Sequence, residues 1–192
     1  MERKSNTRVL VLLLFIAVVI GLRMLAPLSP DFKLFANFSG LGAVAIFSGS
    51  YFKNKFSGYV LPILVLLLSD LGLALMMGES YVFYPGWYYT YIAFALMVLA
   101  AQILVKKVNV ANVFVATLVG VLIHWIVSDF GMWLGFDTYP KTLAGFWECL
   151  VAAIPFELKF LYGTLVYSAI MFMGFEVLKS KFPSLKQHSA IA

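Results

Sequence analysis

A chain of 192 residues that is 62% hydrophobic and only 12% charged, with a mean hydropathy of +0.94, is far too apolar for a soluble domain, whose apolar share is about 45–50%. Its net charge of +5 is explained by membrane topology rather than by nucleic acid. The single cysteine, Cys149, excludes an intramolecular disulfide.

The apolar runs predict one integral membrane domain, an all-α bundle of six transmembrane helices with a short re-entrant or interfacial helix between the fifth and sixth. Arg3, Lys4 and Arg8 precede an apolar run at 9–22 as in a signal peptide, but Arg23 and the Ala26-Pro27 step make a poor cleavage site. The run is therefore read as a retained first span at roughly 8–27. The second span is expected at roughly 34–52 and the third at roughly 57–77, where Pro62 predicts a kink. A loop with Gly78, Pro85 and Gly86 precedes the fourth span at roughly 87–105, and the fifth follows at roughly 110–135. The segment 142–156 reaches only about 22 Å as a helix, short of a crossing of about 30 Å, and Pro155 is expected to stop it. The last span is expected at roughly 160–178.

With the N-terminus inside and six crossings, the cytoplasmic ends carry Arg3, Lys4, Arg8, Lys53, Lys55, Lys106, Lys107, Lys179, Lys181 and Lys186. The outer side keeps Arg23, Lys33, Lys141 and Lys159. Ten against four is a strong positive-inside bias, and a seventh crossing at 142–156 would spoil it. The expected location is the bacterial cytoplasmic (inner) membrane, with both termini cytoplasmic.

This orientation gives the polar residues a common address. Arg23, Asp70, His124 and Asp129 lie in the outer half or just below it, and Asn37, Trp87, Tyr88 and Tyr91 stand near outer entrances. Tyr139, Lys141, Trp147, Glu148 and Glu157 fall in the long outer connection. Ionisable groups inside a membrane are expensive, which makes them functional candidates. The bland readings are an aromatic belt for Trp87 and the tyrosines, an ion pair of Asp70 with Arg23, and a packing role for His124 one turn before Ser128. Asp129 lies about 100° further round the helix, on the stripe with Trp125 and Trp133, so it forms no simple metal clasp with His124.

Other motifs point elsewhere or nowhere. Small-residue seams such as Ala45/Gly49 let helices approach closely. Cys149 beside Glu148 is more simply an inert buried thiol than a soft metal ligand. The sequence holds no Gly-rich Walker motif and no His-Glu-x-x-His. A Ser128-His124-Asp129 triad fails because neighbouring positions on one helix cannot supply its ordered contacts. No catalytic residue, metal site or cofactor is expected, and an intramembrane enzyme would need a nucleophile or metal cluster that cannot be assembled.

Three segments carry a resemblance: NFSGLGAVAIFSGSYF at 37–52, LPILVLLLSDLGL at 61–73, and SDFGMWLGFDTYPKTLAGFWECLVAAIPF at 128–156. They resemble an uncharacterised family of small bacterial six-helix membrane proteins. That family is itself similar to the substrate-binding S components of energy-coupling-factor (ECF) vitamin transporters. The resemblance implies capture of a micronutrient from outside, and a coupling subunit with two ATPases as partners, docked partly through small residues such as Ala17 and Gly21. Solitary cobalamin carriers in that group use an outer-loop cysteine near the end of the third helix. Here Glu79, Ser80 and Tyr81 stand there instead, which departs from thiol-based cobalt chemistry while leaving cobalamin among the substrates to consider.

The expected function is therefore S-component-like uptake of a vitamin or related micronutrient, with a pocket lined by Asn37, Asp70, Trp87, Tyr91, His124, Asp129, Trp133 and Tyr139. Arg23 would balance the acids or meet an anionic ligand group. On this reading Asp70→Asn or His124→Ala weakens uptake without lowering membrane abundance. The alternative from another class is a solitary proton-coupled transporter using His124 and Asp129 as a relay.

Overall fold

The structure is a computed structural model. It describes residues 38–52 and 55–181, together with helical residues at 14, 17–19, 21 and 23–25. Five helices follow these N-terminal residues: α1 (Leu41–Tyr51), α2 (Lys55–Met77), α3 (Tyr88–Leu104), α4 (Val110–Gly135) and α5 (Leu143–Lys181), with a 3₁₀ turn at Glu79–Tyr81. Among the described residues the fold is all-helical.

Helices α2, α4 and α5 are long and apolar enough to cross a bilayer. Their exposed faces agree. Leu64, Leu68, Leu71 and Leu75 form an uncovered stripe on α2, Leu118, Leu122 and Ile126 another on α4, and Val166, Ile170, Met173 and Val177 a third on α5. Stripes of this extent on a soluble protein would drive aggregation; against lipid chains they carry no cost.

Two elements differ from the sequence expectation. The second predicted span, 34–52, is helical only from Leu41 among the described residues, because Phe38–Gly40 lies outside the helix. There the Ser39 hydroxyl accepts from the Leu41 N–H at 3.2 Å, a local bond that competes with helix formation. The resulting eleven-residue helix, about 17 Å long, cannot cross a membrane alone. It is buried on every side from Leu41 to Gly49, as a helix apolar all round must be. Gly49 lets it lie against the Val98 carbonyl and Ala101 of α3, Gly42 against Phe160 and Thr164 of α5, and Gly120 of α4 receives Ile46.

The second difference is larger. The expected separate re-entrant or interfacial helix at 142–156 does not form; residues 143–181 make one helix of 39 residues with Pro155 inside it. Its length is about 58 Å, nearly twice the hydrocarbon thickness. A proline inside a helix costs about 3 kcal/mol through one lost hydrogen bond and a steric clash. Packing on both sides of Pro155 outweighs that cost: Cys149 and Leu150 before it and Phe160 after it are all buried. The Trp125 indole of α4 also donates to the Leu150 carbonyl at 3.1 Å, giving the backbone next to the gap a partner from outside the helix.

The connections that matter lie at one end of the bundle. Between α2 and α3, Gly86 has φ +90, a conformation that suits glycine, and the Pro85–Gly86 backbone lies on α4 at Gly131 and Gly135. A Cβ on Gly131 would stand 2.6 Å from Tyr89 Cβ and 2.7 Å from the Gly86 carbonyl oxygen. Gly131→Val is therefore expected to destabilise the fold by about 1–3 kcal/mol, seen as a lower melting temperature in detergent. Gly21→Ala, whose added Cβ meets nothing within 4 Å, does not lower that temperature.

Candidate functional site

Two neighbouring cavities open at this end. The smaller, about 100 Å³, is built around a buried acid. Asp70, 4% exposed near the end of α2, pairs with the Arg23 guanidinium at 2.6 Å and accepts from the Tyr91 hydroxyl of α3 at 2.8 Å. Arg23 also donates to the Ser69 hydroxyl, which donates in turn to the Leu66 carbonyl at 2.8 Å. Trp87 closes the compartment, edge-on to Tyr91 with ring centroids 5.1 Å apart. A buried charge needs a partner and further hydrogen bonds; here Arg23 supplies the counter-charge and Tyr91 a hydrogen bond. The expectation that Arg23 balances the acids is met by Asp70, which leaves Arg23 committed rather than free for an anionic ligand.

The larger cavity is a cleft of about 640 Å³ between α4, α5 and the 78–87 connection. Its floor is an aromatic layer, in which the His124 ring lies 4.3 Å from Phe160 and 5.3 Å from Phe94 between centroids. His124 Nδ1 stands 3.2 Å from Glu157 Oε1, joining α4 to α5 just past Pro155. Phe160 rests on Gly42 near the start of α1, so the packed core begins where the cleft stops. Above the floor, Asp129 presents a carboxylate whose Oδ2 is buried without a hydrogen-bond partner. Tyr81, Tyr84, Phe136 and Tyr139 supply the aromatic walls. Tyr81, Tyr84 and Thr90 line both cavities, and the Tyr84 and Thr90 hydroxyls stand 3.4 Å apart in the partition.

The residues singled out from sequence are thus divided. Arg23, Asp70, Trp87 and Tyr91 line the small compartment, and His124, Asp129 and Tyr139 the large one. Trp133 lines neither of these cavities: its indole donates to the Pro140 carbonyl at 2.8 Å and its ring packs on Phe146, which fastens the α4–α5 connection. Asn37 lies outside the described residues. Glu148 is exposed and lines neither cavity, while the Cys149 thiol is buried, lines the cleft and points to the Asp129 carbonyl at 3.7 Å. Sequence reasoning left Glu157 in a loop. The signal that places it is the spacing Cys149, Ala152/Ala153, Phe156/Glu157, one face of a helix drawn through Pro155.

The Ser128 hydroxyl donates to the His124 carbonyl at 2.7 Å, so it is bound into its own helix rather than offered to the imidazole. Among the described residues no three His, Cys, Asp or Glu side chains are grouped to hold a metal ion.

The chain belongs to the family described as "Family of unknown function (DUF6580)", whose profile matches residues 3–185. No curated protein and no solved structure matches it.

The small compartment behaves as structure in this geometry, which moves the expected effect of Asp70→Asn from uptake to stability. That substitution leaves a half-buried guanidinium without its counter-charge and is expected to cost about 1–3 kcal/mol, measured by thermal unfolding in detergent. Replacing the whole set, Arg23→Met with Asp70→Leu and Tyr91→Phe, is expected to restore most of the loss.

Proposed function

We propose that this member of the DUF6580 family captures a small, partly apolar micronutrient from outside the cell, in the manner of an S-component-like substrate-binding subunit. The observation that carries the reading is the 640 Å³ cleft with its aromatic walls and few polar groups. Ligand sites for small molecules are commonly clefts of about 300–1,000 Å³ of this character. The positive-inside bias turns the connections 78–87 and 136–142 outward, so the cleft faces the exterior of a bacterial inner membrane with both termini cytoplasmic. Stacking on Tyr81, Tyr84 and Phe136 would hold an apolar body, and His124, Asp129 and Glu157 would fix its polar end. Because the sequence carries no Walker motif, ATP-driven uptake would come from a separate coupling subunit and its ATPases. Cobalamin stays among the vitamins to be tried, without a cysteine at 79–81 to bind its cobalt.

One observation favours a second reading. The His124–Glu157 pair and Asp129 share a cleft, as a proton-coupled secondary transporter working alone would require. Ala153 lines the cleft, and Ala153→Trp is expected to fill it. Mass spectrometry of small molecules co-purifying with the protein should then show a species in the wild type that the variant lacks at equal membrane abundance. Identical small-molecule content would remove the capture reading. Uptake that persists without any ATPase partner and collapses with the pH gradient would select the proton-coupled alternative.

A further inference from the structure

The charge inside the large cleft limits what it can accept. Among the described residues no lysine or arginine lines it, whereas Asp129 and Glu157 both do. Two basic residues of neighbouring elements are already committed. Arg23 lies in the other compartment, beyond the partition of Tyr81, Tyr84 and Thr90, and is bound to Asp70. Lys141 donates to the carbonyls of Trp133 and Phe136 and stands 3.8 Å from Asp137. His124 can offset one negative charge, that of Glu157, against which its Nδ1 rests. Asp129 enters no ion pair among the described residues, and its buried Oδ2 lacks a hydrogen-bond partner.

A carboxylate oxygen withdrawn from water and left unpaired is costly, and a bound cation relieves that cost. The walls are suited to the same guest. Tyr81, Tyr84, Tyr139 and Phe136 present rings whose faces attract a cation and whose area stacks on an apolar group. An anionic ligand would meet two acids and, among the described residues, no lysine or arginine in the lining.

We propose, building on the capture reading, that the cleft takes a small organic cation: a primary or secondary ammonium carried on an apolar, ring-sized body. The ammonium sits against Asp129, with Glu157 and His124 as its second polar boundary, and the ring lies among the tyrosines.

The test uses the full-length protein in lipid nanodiscs and isothermal titration at neutral pH with three probes of similar size. These are phenethylamine as the cation, phenethyl alcohol as its neutral counterpart and hydrocinnamate as the anion. Phenethylamine is expected to bind at least about tenfold more tightly than the alcohol, a ratio in keeping with a desolvated cation on aromatic rings, and hydrocinnamate least. Asp129→Asn, which conserves shape, should bring the amine and the alcohol to parity; Glu157→Gln, as a second variant, should reduce the same ratio. Ala153→Trp should abolish binding of all three in the same nanodiscs. Alcohol or hydrocinnamate binding as tightly as the amine to the wild type would overturn the cation assignment and leave capture standing. A preference for the amine that survives Asp129→Asn, Glu157→Gln and Ala153→Trp alike would place the probe outside the cleft and overturn it too. Failure of all three probes to bind the wild type would overturn the cation assignment, while the co-purification comparison decides capture separately.

Discussion

The continuity of α5 through Pro155 is the constraint on which the rest of the site depends. Were the helix to end at the proline, the face carrying Cys149, Ala152/Ala153 and Phe156/Glu157 would not line up against α4, and His124 would lose its partner. The helix survives because buried residues on both sides of the proline pack against their neighbours; Trp125 adds a hydrogen bond to the Leu150 carbonyl, one residue from the carbonyl that Pro155 leaves free. One backbone hydrogen bond is a small term against that burial. A consequence is that the polar pair His124–Glu157 is placed by two helices at once, so its geometry follows the interface rather than a loop.

The cleft exists because α1 is short. Eleven residues, apolar or small throughout, fill the interior of the bundle on one side of the His124–Phe160–Phe94 layer. On the other side the α2–α3 and α4–α5 connections close over the space between α4 and α5. Gly131 and Gly135 accept the Pro85–Gly86 backbone and fix where the first of those connections lies. The two polar clusters then take different parts. Arg23, Ser69, Asp70 and Tyr91 satisfy one another and tie the N-terminal residues to α2 and α3. Asp129 enters no ion pair among the described residues, whereas Asp70 is paired with Arg23, and that asymmetry separates a structural charge from one available to a guest.

Much of this was legible in the sequence. The membrane class followed from composition, and Arg23 with Asp70 could be read as a pair because both are too costly to leave alone at that depth. His124 and Asp129 stood out for the same reason. Glu157 did not, because a proline two residues earlier argued for a helix end, and only tertiary packing decides between a stop and a tolerated kink. Trp133 was drawn into the site by its helical stripe with Asp129, yet the indole turns toward the Pro140 carbonyl, a partner in a loop whose course the local pattern does not encode. The short start of α1 was hidden because Phe38–Gly40 is as compatible with an apolar span as with a turn. The Ser39 bond to the Leu41 N–H is what tips it.

The pairing of His124 with Glu157 across Pro155 can be measured directly by a double-mutant cycle on thermal stability in detergent, using His124→Gln, Glu157→Gln and the two together. A direct pair predicts that either single change costs stability and that the double change costs little more, giving a coupling energy of about 1–3 kcal/mol. Strictly additive losses would contradict it, because side chains that do not meet cannot be coupled in this way, and the cleft would lose both its floor and its second acid.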